Sequence, residues 1–141
     1  MPETHLIPLI IHAAIGKRDK IMMFGDDYPT ADGSCIRDYV HVEDLANAHI
    51  QALKYLSDGN ESDVFNCGYG HGYSVKEVID TVKHISDVNF NVEIVERREG
   101  DPAILVADNA KIKEKMKWSP KYDDLELICS SALAWENKLM N

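Results

Sequence analysis

Apolar positions along the chain switch repeatedly between a helical period and short continuous runs. Residues 5–16 place Leu6, Leu9, Ile10, Ala13 and Ala14 at helical spacing and stop at Gly16, ahead of Lys17 and Arg18. That pattern predicts an amphipathic helix with a glycine terminator. A short apolar run at 21–24, a turn-rich segment holding Gly25, Pro29 and Gly33, and a second run at 39–42 follow. They predict strand, ordered loop, strand and helix start. The next helix is expected over 43–56, with Leu45, Ala46, His49, Ile50 and Leu53 on one face. Glu43 and Asp44 occupy its first turn, where acidic groups suit the positive end of the helix dipole. His49 on that face reads as a core or boundary histidine. Asp58-Gly59-Asn60 signals a turn, and residues 64–67 read as a short buried strand. Ser74 with Glu77 three residues on is a capping box, so a helix runs from there to about Ser86. A strand at 91–95, a brief extended run at 104–106 and a helix at 110–116, capped by Asp108 or Asn109, come next. A final helix at 123–139 closes the series. Alternation of element types makes the class α/β.

Composition narrows the function classes. The 141 residues suffice for one domain with a sizeable core, and 45% apolar with 28% charged residues is ordinary for a globular chain. A net charge of −9 argues against a nucleic-acid partner, which needs a basic face. No apolar run reaches the roughly 18 residues of a membrane-spanning helix. Residues 6–15 are interrupted by Pro8 and His12 and lack a basic lead-in, so no signal peptide is expected. Three widely spaced cysteines, Cys35, Cys67 and Cys129, cannot form a complete disulfide framework, which suits a reducing, cytoplasmic compartment. The six histidines show neither His-Glu-x-x-His nor zinc spacing, so no metal site is expected.

Candidate chemistry is thin. Arg37, beside the aromatic-rich loop at 24–33, suits an anionic ligand, because its planar fork of donors matches phosphate oxygens two at a time. A surface arginine paired with Asp38 or Asp32 fits the same spacing. Gly68, Gly70 and Gly72 follow one expected strand and precede a capped helix, close to a dinucleotide-binding turn. The third glycine comes one residue early for Gly-x-Gly-x-x-Gly, so the glycines read as a turn. Asp26-Asp27 and Asp123-Asp124 read as solvated loop or cap residues. No Gly-x-Ser-x-Gly is present. Four residues after the six tyrosines stand Asp32, Glu43, Gly59, Tyr73, Glu77 and Glu126, so no tyrosine is paired with a pKa-lowering lysine. Ligand-contacting residues are present without an acid, base or nucleophile.

Several runs together resemble one family. They are Pro-Glu-Thr-His-Leu-Ile-Pro at 2–8, Phe-Gly-Asp-Asp-Tyr-Pro-Thr-x-Asp-Gly at 24–33, Ile-Arg-Asp-Tyr-Val-His-Val-Glu-Asp-Leu-Ala at 36–46, Phe-Asn-Cys-Gly at 65–68 and Arg-Arg-Glu-Gly-Asp-Pro-Ala at 97–103. In this order they resemble the UDP-glucose 4-epimerases, which are extended short-chain dehydrogenases. The resemblance covers nearly all of 1–141 but only the C-terminal, UDP-sugar-binding portion of such an enzyme. It implies that the N-terminal NAD-binding Rossmann domain, with its glycine fingerprint and Tyr-x-x-x-Lys pair, lies upstream of the matching region. It also implies that the helix and strand within 43–69 pack on that domain.

Position by position, the resemblance implies UDP-sugar contacts at His5 and Leu6 at the domain junction, and at Met22, Met23 and Phe24 along the uracil. Arg37 and Arg98 match the diphosphate clamp, and Asp101 matches the ribose-binding acid. Leu105 stands beside the sugar's C2 substituent. Being neither tyrosine nor cysteine, it leaves acceptance of N-acetylated sugars open. The full enzyme would use NAD to interconvert UDP-glucose and UDP-galactose through a 4-keto intermediate, in galactose metabolism. The isolated chain is expected to be inactive, to bind no NAD tightly, and to need its missing half or a homodimer partner to cover an apolar edge. Another nucleotide-sugar short-chain dehydrogenase, or a non-catalytic UDP-sugar-binding module, fits the same residues.

Overall fold

The computed structural model describes residues 3–140; Met1 and Pro2, the latter part of the run at 2–8, lie outside them. Helix α1 (Leu6–Ala14) tolerates Pro8 because the proline sits in the first turn, where its missing N–H has no intrahelical acceptor to lose. Ile10, Ile11, Ala13 and Ala14 face inward. A turn at Gly16 leads to β1 (Lys20–Phe24), which pairs in parallel with β4 (Asn91–Val95) from Lys20↔Asn91 to Phe24↔Val95. Three short strands form a second sheet. In it β2 (Ile36–Arg37) lies between β3 (Tyr73–Ser74), antiparallel, and β5 (Ile104–Leu105), parallel.

The main core packs α1, α3 (Val75–Ser86) and α5 (Leu125–Met140) on β1, with Ile10, Ile11, Ile21, Met23, Val78, Val82 and Cys129 buried. The capping box opens α3: Ser74 Oγ accepts from the Glu77 amide at 3.0 Å and Glu77 Oε2 accepts from the Ser74 amide at 2.6 Å. A smaller core joins α2 (Val42–Ser57) to α4 (Ala110–Met116) through Ala48, Tyr69, Ile112, Trp118 and Ile128. Asp44 anchors it. This carboxylate, 2% exposed, accepts from the Tyr69 hydroxyl and the amides of Lys121 and Tyr122, and the Asp44 carbonyl accepts from the Trp118 indole.

Four expectations need correction. Residues 39–41 form no strand. The ladder ends at Arg37, and His41 becomes the N-cap of α2, its Nδ1 accepting from the Glu43 amide. Residues 64–67 are assigned to no strand either. The apolar stripe of α2 points outward, leaving Val42 70% and Leu53 67% exposed, while its buried residues are Asp44 and Ala48. His49 is exposed with that stripe and bonds the Leu45 carbonyl. Among the described residues, no helix is long and apolar enough to cross a membrane.

Candidate functional site

Strand alternation sorts the residues of β1. Ile21 and Met23 enter the core, whereas Met22 and Phe24 take the opposite face, as the two-residue period of a pleated strand requires. On that face lies a cavity of about 210 Å³ lined by Leu6 of α1, Met22 and Phe24 of β1, and Arg37 of β2. Arg98 and Asp101 come from the loop after β4. This loop folds back on itself at Gly100, where the Asp101 amide donates to the Arg98 carbonyl.

Arg37 donates from Nη1 to its neighbour's carbonyl, Ile36 O, at 2.6 Å and from Nη2 to Asp101 Oδ1 at 2.5 Å. The acid partner of Arg37 is therefore Asp101, neither Asp38 nor Asp32. Arg98 lays its guanidinium over the Phe24 ring at 3.8 Å, a cation–π contact. Its neighbour Arg97 turns to the next aromatic, stacking over Tyr28 at 4.2 Å and pairing with Asp27 at 2.6 Å. A Cβ at Gly25 would stand 2.6 Å from Arg97 Cγ and 2.8 Å from the Tyr28 ring, so this double clasp needs a glycine there. The clasp fastens the 25–33 loop to the loop after β4. Asp32 fastens its far end. Burial raises that acid's pKa, but hydrogen bonds from Ser74 and from Ser34's amide and hydroxyl, with the Lys76 charge, outweigh it and hold the carboxyl below its usual range.

The remaining expected contacts lie elsewhere. His5 is exposed and pairs with Glu3, Met23 is core, and Leu105 is 60% exposed on β5. Conversely, Arg18 and Tyr39 line the cavity, and no spacing signal in the sequence singled them out. The Tyr39 hydroxyl is buried with no hydrogen-bond partner among the described residues, and burial pushes its pKa up, so it stays a neutral phenol. Three arginines against one carboxylate leave the cavity with an excess of positive charge, which suits an anion. No group of three metal-ligating side chains occurs among the described residues.

The glycine-rich loop is organised around an internal carboxylate. Asp38 Oδ1 accepts from the Tyr69 amide at 2.9 Å, and Oδ2 accepts from Gly70 at 3.1 Å and Ala107 at 3.3 Å. These amides, which in a nucleotide fold would face a pyrophosphate, are already taken. NAD therefore finds no cradle in this loop.

A family model, the NAD dependent epimerase/dehydratase family, matches residues 2–68. The UDP-glucose 4-epimerase of Rhizobium meliloti (strain 1021) is 48% identical over 137 residues, 97% of this chain and 42% of that protein. This chain is a homologue of UDP-glucose 4-epimerases. It spans about two fifths of their length, 42% of the Rhizobium protein. Solved structures agree. The UDP-Glc/GlcNAc 4-epimerase of Campylobacter jejuni is 55% identical with a TM-score of 0.88, over 98% of this chain and 42% of that one. The Bifidobacterium longum UDP-glucose 4-epimerase, solved with NAD+ and UDP, is 33% identical with a TM-score of 0.86, over 97% and 40%.

Proposed function

We propose that this chain is the UDP-sugar-binding portion of a UDP-glucose 4-epimerase, C-terminal to an NAD-binding domain. The whole protein would interconvert UDP-glucose and UDP-galactose in the cytoplasm, within galactose metabolism. The observation that carries this reading is the convergence of Phe24, Arg37, Arg98 and Asp101 on one cavity, in a homologue of these enzymes. The aromatic ring offers a stacking face for a base, Asp101 an acceptor for ribose hydroxyls, and the arginines charge-assisted donors for a diphosphate. Arg37 and Arg98 exchange their present partners, the Asp101 carboxylate and the Phe24 face, for the ligand's phosphates.

NAD does not fit the residues described, since the Gly68–Gly72 loop wraps Asp38 and no tyrosine carries a lysine four residues on. Its chemistry is assigned to the part of the relatives' length that this chain does not match, and the chain alone is predicted to be inactive. Segment 43–69 presents the surface on which that part would pack. A cavity of about 310 Å³ between α2 and α4, lined by Leu45, Tyr55, Phe65 and Ile112 among others, opens onto the outward stripe of α2.

Calorimetry with UDP tests the binding role. Micromolar affinity is expected, falling at least about tenfold in Arg37→Ala and in Arg98→Ala, because each removes a charge-assisted contact. UDP binding untouched by both substitutions would overturn the reading.

A further inference from the structure

We propose that Arg18 is a third cation of the nucleotide site, contacting the anionic part of a nucleoside diphosphate. This rests on the nucleotide reading above and adds to it a residue that neither the arginine spacing nor the expected contact set contained.

The position follows from how α1 ends. The Lys17 and Arg18 amides both donate to the His12 carbonyl, at 2.8 and 3.1 Å, wrapping the chain through Gly16 and turning it into β1. The two basic residues then part company. Lys17 goes to α5 and pairs with Glu136 at 2.8 Å. Arg18 turns to the other side and lines the cavity alongside Leu6, Leu9 and Met22. Its side chain is partly buried there and, among the described residues, forms no ion pair, hydrogen bond or ring contact.

A cation at the end of a helix also suits the helix dipole, which is the plainer account of Arg18. That account explains a solvated basic residue. It does not explain why a partly buried residue lines the cavity while its side chain, among the described residues, meets no acceptor. The site's other cations are all engaged. Arg37 is on Asp101, and Arg98 is over Phe24. Arg18 is thus the cavity's one cation whose side chain has no partner among the described residues. A diphosphate carries more than one negative charge and several acceptor oxygens, so it offers a counter-charge that the sole acid, Asp101, does not. Since Arg18 sits on the α1 side and Arg37 and Arg98 on the β2 and β4 sides, the three would hold the anion from different directions. A ligand gripped this way has its nucleotide end fixed while its other end stays free to turn.

The experiment compares UDP with uridine, the latter measured by displacement of UDP, on the full chain carrying Arg18→Ala, Arg18→Lys or Arg37→Ala. Arg18→Ala is expected to weaken UDP about tenfold and leave uridine unchanged, as loss of a phosphate contact should. Arg18→Lys should recover part of the loss, because the charge returns without the planar fork. Raising salt should narrow the gap between the parent chain and Arg18→Ala. Matched circular dichroism and melting of the variants separate binding from folding, and Arg18→Lys serves where Arg18→Ala melts early. UDP affinity of Arg18→Ala within twofold of the parent, while Arg37→Ala loses binding, would overturn this inference and leave the nucleotide reading standing. Equal weakening of UDP and uridine would place Arg18 on the nucleoside, against the proposal. A parent chain that binds no UDP would remove the nucleotide reading and this inference with it.

Discussion

Three backbone N–H groups converge on Asp38, those of Tyr69, Gly70 and Ala107. One carboxylate thereby ties the segment after β2 to the glycine-rich loop and to the connection between β5 and α4. The close approach explains the glycine at 68, where a Cβ would stand 2.5 Å from Asp38 Oδ2 and 2.5 Å from the Ala107 Cβ. Asp38→Ala removes the acceptor shared by three amides, two of them in part-buried bonds, and is expected to cost about 1–3 kcal/mol, since a part-buried donor left unmet regains only some of its solvation. Asp38→Asn keeps one acceptor oxygen and should cost less. Gly68→Ala should destabilise through overlap with the same carboxylate. Urea midpoints of the three variants test the ordering, and an Asp38→Ala chain as stable as its parent would refute this role. The same residue shows what spacing could not supply. Gly68-x-Gly-x-Gly72 looks like a ligand cradle in sequence because the glycines mark close backbone approach, but the approaching group belongs to the chain itself.

At the scale of elements, the sequence was readable where local chemistry decides. The Ser74–Glu77 box opens α3, the strand at Asn91–Val95 forms as expected, and the last helix ends within a residue of its expected limit. It misled where partners decide. The run at 39–42 has strand-forming residues, yet Asp38 is drawn to the glycine loop and His41 caps α2, so the chain leaves the ladder. The site divides the same way. Arg37 was visible as a candidate anion ligand, but its partner Asp101 is 64 residues away and the resemblance, not spacing, joined them. Arg18 carried no such signal. Packing between elements also sets an acid limit. Glu136 of α5 accepts from Lys17 at 2.8 Å and lies 3.2 Å from His12 Nε2, tying α5 to the end of α1. The Lys17 hydrogen bond, opposed by burial and aided by the charges of Lys17 and His12, holds its carboxyl below the usual glutamate range. A depressed folded pKa means that the contact stabilises above the unfolded glutamate pKa and is lost as pH falls through the folded one. Glu136→Gln should therefore cost about 1 kcal/mol at pH 7 and shrink to nothing in acid. Chemical denaturation at pH 7 and at pH 3 reads the difference; an equal cost at both would count against this pairing.

For the whole molecule, the decisive quantity is apolar surface without a partner. Val42, Leu45, Ile50, Leu53 and Leu56 of α2 are exposed, and Val64, 80% exposed, extends the patch along a segment assigned to no strand. Burying one such side chain is worth about 1.5–3 kcal/mol. Since the five are 42–70% exposed, covering what remains of them is worth about 4–8 kcal/mol, comparable with the whole stability of a marginal domain, roughly 5 kcal/mol. A face of that strength does not stay in water when a cover is available. The relatives supply length for one, since the chain accounts for only 42% of the Rhizobium enzyme. Without that length, the next available cover is a second copy. The chain alone should accordingly run above its 15.9 kDa monomer mass at micromolar concentration, in a concentration-dependent way. Ile50→Lys with Leu53→Lys should return it toward the monomer, because charges on the stripe are solvated in the free chain and costly in any apolar contact. UDP binding should survive these substitutions, since the arginine cavity lies on α1, β1 and β2 and takes nothing from α2. Light scattering on the parent and the double variant tests this. A parent chain that is monomeric throughout, and melts cooperatively, would show that α2 is sufficiently covered by its own fold.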